Sequence, residues 1–145
     1  MLNAVVTVLV DWARSPDGWA SGSPDAVARP VGVVAMPSRS RPQLVASLAE
    51  GVARVGRLLL LGSLAYTPQA DEHGAHRSNS AQRLRALADS FALPDALAAA
   101  LAATQGPVLL VDDYIDSGWT LAVGARLLRQ AGADQVLPLV LAMAG

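Results

Sequence analysis

The sequence predicts an α/β protein built on a mostly parallel sheet that is flanked by helices. Two continuous apolar runs, residues 31–36 and 108–111, are typical of buried parallel strands. Each run is followed by a segment with apolar residues at helical spacing, residues 42–55 and 119–131. Hydrophobic residues make up 52% of the chain and charged residues 16%, which is the balance of a globular protein. The alternation of strand and helix therefore indicates parallel pairing.

The predicted elements follow one another with turn residues between them. Helices are predicted at Leu2–Arg14 and at residues 42–55, 80–91, 95–103 and 119–131. Strands are predicted at residues 31–36, 58–61, 108–111 and 135–142. In the second helix the residues expected to face inward are Leu44, Leu48, Val52 and Val55. We expect residues 1–30 to form an N-terminal helix and connecting loop, and residues 31–145 to form one domain.

The strand order follows from the rules of parallel connection. Because crossovers are right-handed, the strand at residues 31–36 is expected beside residues 108–112, with the other two strands outside them. The last strand contains Pro138, which an edge strand tolerates. The chain then winds in opposite directions from the two central strands, and ligands bind in the crevice at that point.

Composition excludes several kinds of chemistry. The chain of 145 residues has no cysteine, so disulfides, thiolate nucleophiles and zinc–thiolate sites are excluded. All eleven basic residues are arginines, which excludes a Schiff-base lysine and a Walker lysine. A net charge of −1 gives no global attraction to nucleic acid or anionic lipid. The apolar stretches are too short to cross a bilayer, so we predict a cytoplasmic protein with no membrane partner.

The most informative string is the end of the strand at residues 108–111. Two adjacent carboxylates, Asp112 and Asp113, follow it, and the polar turn at residues 116–120 then opens a helix. Acids suit ribose hydroxyls or a metal ion, whereas a glycine-containing turn at a helix N-terminus suits a phosphate. Together they would suit a phosphorylated sugar. The alternative is a strand with an acid-capped turn that kept the fold and lost the substrate.

Residues 108–120 resemble the PRPP (phosphoribosyl-pyrophosphate) motif of type I phosphoribosyltransferases, in which four apolar residues and two acids precede a D-[ST]-G-x-T turn. The resemblance implies the three-layer fold of that family. It implies that Asp112 and Asp113 bind the ribose hydroxyls and, with PRPP, Mg²⁺. It also implies that backbone N–H groups of the turn, with the hydroxyls of Ser117 and Thr120, bind the 5′-phosphate. An acid at the place of Asp116 often assists chemistry at the base in that family.

Two further residues of the turn are included in the expected substrate site, Gly118 and Trp119. Trp119 departs from the family pattern, which usually has a small, polar or basic residue there. Its side chain could stack on a base or plug the pocket.

A second loop is expected to face the acids. The sheet topology brings the loop after the first strand across from Asp112 and Asp116, and in the resembled family this loop binds the pyrophosphate of PRPP. Its guanidinium and hydroxyl groups suit a diphosphate, and they belong to Ser38, Arg39, Ser40 and Arg41. The alternative is a pair of solvated arginines. A third basic cluster, with Arg77, Arg83 and Arg85, could contact a phosphate, a nucleic-acid backbone or another subunit, and Arg77 is included in the expected substrate site. The alternative is a solvated helix face.

A closer resemblance is to the phosphoribosyltransferase-like C-terminal domain of actinobacterial RecQ-type DNA helicases. The discriminating strings are RSNSAQRLR at residues 77–85 and DSGWT at residues 116–120, and in this group the tryptophan is expected. The first hypothesis is a Mg²⁺-dependent phosphoribosyltransferase that binds PRPP. The second is a non-catalytic accessory domain of a DNA helicase that binds a nucleotide-like ligand, single-stranded DNA or a protein partner. A scaffold that forms a homodimer is a third.

Overall fold

The computed structural model describes residues 1–15, 18–70, 80–115 and 118–144, without the side chains of Ser80, Arg83 and Leu84. In these segments the helices are α1 (Leu2–Arg14), α2 (Pro42–Gly56), α3 (Ser80–Ala88), α4 (Asp95–Ala102) and α5 (Trp119–Gln130). The strands are β1 (Gly32–Ala35), β2 (Leu59–Ser63), β3 (Ala65–Tyr66), β4 (Phe91–Ala92), β5 (Val108–Ile115) and β6 (Val136–Met143). A short 3₁₀ helix spans Pro68–Ala70.

The central sheet confirms the predicted parallel α/β architecture and strand order. Its four strands are arranged β2-β1-β5-β6, and every pairing is parallel. β1 and β5 are neighbours, with Gly32 opposite Val108 and Ala35 opposite Val111. Pro138 lies in the edge strand β6, as predicted. β1 therefore ends beside Val111, one residue before the acid pair, whereas β5 continues to Ile115.

Helices cover both faces of this sheet. On one face α1 and α2 pack on alternate strand residues, and the buried cluster there includes Val5, Val33, Leu48 and Leu109. On the other face α4 and α5 pack on the intervening strand residues, among them Val34 and Leu110. Because both faces are buried, the central strands are apolar throughout until β5 reaches its two carboxylates.

Two predictions of detail are wrong. Val55 was expected to face inward, but 48% of it is exposed, and Val45 instead joins the buried residues of α2. The helix predicted over residues 80–91 ends at Ala88, because Phe91 enters a two-stranded antiparallel pair with Tyr66. Phe91 is 7% exposed and belongs to the core, so burial of its ring outweighs continuation of the helix.

A glycine sets the distance between α5 and the sheet. A Cβ atom built on Gly124 would lie 2.7 Å from Met36 Sδ and 3.2 Å from Leu110 Cδ2. Any side chain at this position would require Met36 or Leu110 to move, and glycine lets α5 lie close to the sheet without that movement.

Within the described segments, no helix is both long and apolar enough to cross a bilayer.

Candidate functional site

The acid pair lies at the carboxyl end of β5. Asp112 and Asp113 are 7% and 9% exposed, and both are still within the strand. Side chains alternate along a strand, so Asp113 points to the α2 side with Val111, whereas Asp112 points to the α5 side with Leu110. The backbone N–H of Asp113 donates to Asp112 Oδ1 over 2.8 Å. The two carboxylates, which lie at the end of the same strand, therefore point toward different helices.

The loop after β1 folds across from these acids. Ser38 Oγ accepts a hydrogen bond from the backbone N–H of Arg41 over 3.0 Å, which closes the turn before α2. Pro42 occupies the first turn of that helix, as its fixed φ favours. Arg41 Nη1 lies 3.6 Å from Asp113 Oδ2. The expected meeting of the arginine loop with the acid pair is thus present on the α2 side.

The start of α5 forms the third side of the site. Gly118 is the residue before the helix and has a φ of +81°, a conformation that favours glycine. The first N–H groups of a helix have no intrahelical acceptor and carry the positive end of its dipole. Thr120, in the first turn, lies on the same cavity as both aspartates.

These elements enclose a cavity of about 440 Å³. Its polar lining combines the two buried carboxylates with an arginine loop, and the residues concerned are Ser38, Arg39, Ser40, Arg41, Asp112, Asp113 and Thr120. Seven of the expected site residues therefore share one cavity. A cavity lined by both carboxylates and guanidinium groups matches a ligand that carries hydroxyls or a metal ion at one part and phosphate at another.

Burial raises the pKa of Asp112 to about 6. The N–H donated by Asp113 opposes this rise because it favours the ionised carboxylate. The side chain of Asp113 adds to it, since it accepts a hydrogen bond from the protonated form and repels the charged one. A pKa in this range is typical of functional carboxylates.

Tyr66 is a site residue that sequence reasoning missed. The guanidinium carbon of Arg39 lies 4.4 Å from the centre of the Tyr66 ring, and Tyr66 Oη donates to the carbonyl oxygen of Pro37 over 3.2 Å. The ring also packs on Phe91, with 5.4 Å between centroids. Tyr66 thus supports the arginine loop from the small antiparallel sheet. Nothing in the spacing of the sequence signals this contact.

The remaining expected site residues have other locations. Trp119 is 53% exposed, and among the described residues its neighbours in a separate groove include Ala88 and Arg126, so its role in substrate binding stays a prediction. Asp116, Ser117 and Arg77 lie outside the described residues.

The two adjacent carboxylates suit Mg²⁺, which favours oxygen ligands and keeps several of its own waters. Among the described residues no group of three or more His, Cys, Asp or Glu side chains is placed to hold a metal ion.

Comparison of the sequence with models of protein families gives no match, and comparison with curated proteins gives none either.

Proposed function

We propose that this chain is a phosphoribosyltransferase-fold domain whose cavity binds PRPP or another phosphorylated ribose. The observation that carries the proposal is the convergence of the acid pair, the arginine loop and the N-terminus of α5 on one cavity. The order of the strands supports it, because the site is formed at the carboxyl-terminal parts of two adjacent parallel strands. The resemblance of residues 108–120 to the PRPP motif supports a phosphorylated ribose as the ligand class.

Each of the three sides of the cavity is proposed to bind a different part of the ligand. Asp112 and Asp113 accept hydrogen bonds from the two ribose hydroxyls or bind Mg²⁺, which would neutralise diphosphate charge. Arg39 and Arg41 donate to the diphosphate, and the first N–H groups of α5 donate to the 5′-phosphate. We propose that these residues bind the ligand, and the proposed role does not include catalysis.

We also propose that the parent protein is a RecQ-type DNA helicase, on the resemblance of residues 77–85 and 116–120 to its C-terminal domain. A second candidate function for such a domain is binding of single-stranded DNA. The side chain of Arg41 is 61% exposed at the mouth of the cavity, which would suit a phosphodiester backbone as well as a diphosphate.

Titration calorimetry of the chain with PRPP and Mg²⁺ tests the proposal. We expect saturable binding, and we expect the Asp112→Asn/Asp113→Asn variant to bind at least about tenfold more weakly, because charge-assisted hydrogen bonds are lost. The matched control is Asp11→Asn/Asp25→Asn, which changes the net charge equally at two exposed positions away from the cavity. Absence of heat at millimolar PRPP would contradict the proposal. Binding of oligothymidylate instead would favour the second candidate function, binding of single-stranded DNA.

Replacement of Tyr66 tests the support of the arginine loop. We expect Tyr66→Leu to weaken PRPP binding roughly three- to fivefold, because the loop loses both its cation–π contact and its hydrogen bond. Tyr66→Phe keeps the ring and loses only the hydrogen bond, so its affinity should lie between those of the wild type and Tyr66→Leu. Equal affinities for all three proteins would show that Tyr66 does not position the loop.

A further inference from the structure

A second cavity, of about 410 Å³, lies between the C-terminal halves of α1 and α2. Leu109 contributes to its sheet side, and Leu9 and Val52 contribute from the two helices. Pro30 and Leu58, which come just before β1 and β2, also line it. The cavity is therefore near the amino ends of the strands, whereas the acid pair is at the carboxyl end of β5. It is separate from the proposed PRPP site.

Close contacts hold α1 on either side of this cavity. At the start of α1, Leu2 packs so closely on α2 that a Cβ atom on Gly51 would lie 2.9 Å from Leu2 Cδ1. Beyond the end of α1, Trp19 packs edge-on against Trp12 with 4.9 Å between ring centroids. The chain after α1 is also bonded back to it, since the N–H of Ala20 donates to the carbonyl oxygen of Ala13 over 2.8 Å. These contacts anchor α1 at both ends and leave the space between them.

The cavity has an apolar interior and a positively charged rim. Arg14, Arg29 and Arg57 all line it, and the lining residues that the structure describes include no carboxylate. Arg29 Nη2 donates to the carbonyl oxygen of Gly56 over 2.7 Å, which holds this guanidinium at the rim. A guanidinium has five N–H donors, so this bond uses one of them. The rim therefore attracts anions, whereas the interior favours apolar groups.

We propose that this cavity binds a small amphiphilic carboxylate, with its apolar body inside and its carboxylate at the arginine rim. Its volume is within the range of small-molecule sites, which are mostly apolar with a few placed polar groups. Burial of a hydrocarbon body in an apolar cavity is favourable, and guanidinium groups match the fork of a carboxylate. We expect tight binding to require both the apolar body and the carboxylate of the ligand. An uncharged alcohol offers the arginines no carboxylate to pair with, and a short carboxylate leaves the apolar interior unfilled.

Octanoate is the probe, titrated into the full chain and followed by tryptophan fluorescence and calorimetry. Trp19 lines the cavity, so occupancy changes its surroundings. We expect saturable binding of octanoate and at least about tenfold weaker binding of 1-octanol and of acetate. Failure of octanoate to bind at millimolar concentration, or equal affinity for octanol, would overturn the proposal.

A matched pair of variants at the rim separates charge from shape. Val55 lines the cavity and is 48% exposed, so a polar residue there does not disturb the core. We expect Val55→Glu to weaken octanoate binding about tenfold, because its carboxylate repels the ligand and pairs with the arginines. We expect Val55→Gln, which has the shape of the glutamate variant without its charge, to bind octanoate at least about threefold more tightly than Val55→Glu. Equal loss in both variants would contradict the role of charge, and a wild-type dimer that Val55→Glu dissociates would assign the cavity to a second copy of the chain.

Discussion

Asp112→Asn is expected to stabilise the protein by about 2 kcal/mol near pH 8, although it removes a residue of the proposed site. The pKa of Asp112 is raised to about 6 by burial, so above that pH the folded protein holds a carboxylate that is poorly solvated. An asparagine carries no charge, can accept the N–H of Asp113 and can donate to its carboxylate. Such a gain is typical of functional sites, where groups needed for binding often lower stability.

The stabilisation by Asp112→Asn should decrease as the pH falls. Between about pH 6 and pH 4 folded Asp112 binds a proton that the unfolded chain does not. The free-energy cost of burying the ionised carboxylate is therefore lost as the pH falls. The stability difference between Asp112→Asn and the wild type should therefore shrink to near zero around pH 4. Urea unfolding with a chelator present, across this range, measures it. A constant difference would contradict the raised pKa, and the exposed control Asp25→Asn should show little difference at any pH.

Gly124→Val is expected to destabilise the protein by about 2–3 kcal/mol, because core residues would have to move. Even a single Cβ atom at this position would overlap Met36 Sδ, and both Leu110 and Leu64 lie within 3.3 Å of it. Val also introduces two methyl groups, so α5 must shift away from the sheet. Because α5 carries Thr120 to the cavity, PRPP affinity should fall with stability.

Ala122→Val is the matched control on the same helix. Ala122 is exposed, so the added methyl groups meet solvent and the cost should stay below about 0.7 kcal/mol, the range of helix propensity. Chemical denaturation of the two variants gives the comparison. Similar stabilities for both would mean that the contact of α5 with the sheet does not depend on Gly124.

The order of the central sheet could be predicted because it follows from local patterns and a general rule. Residues 31–36 and 108–111 are apolar on both faces, and right-handed crossovers leave few arrangements for such strands. The antiparallel pairing of Tyr66 with Phe91 could not be predicted, because two-residue strands have no periodicity to detect. Val55 fits the helical spacing, yet it lines the cavity between α1 and α2 and is 48% exposed, and a sequence pattern does not contain that information.

The residues of the candidate site could be predicted where their positions follow from strand topology. Asp112 and the arginine loop both follow parallel strands, so topology alone brings them to one edge. The pKa of Asp112 and the support from Tyr66 depend instead on burial and on contacts between residues distant in the chain. The orientation of Trp119 is set by the packing of α5, which the turn motif does not specify.

We propose that the acid pair and the arginine loop bind one phosphorylated ribose. A crystal structure of the chain with PRPP and Mg²⁺ is the decisive test. We expect ribose hydroxyls within hydrogen-bond distance of Asp112 and Asp113, the diphosphate at Arg39 and Arg41, and the 5′-phosphate at the start of α5. A ligand bound elsewhere, or an empty cavity in crystals grown with saturating PRPP, would contradict it.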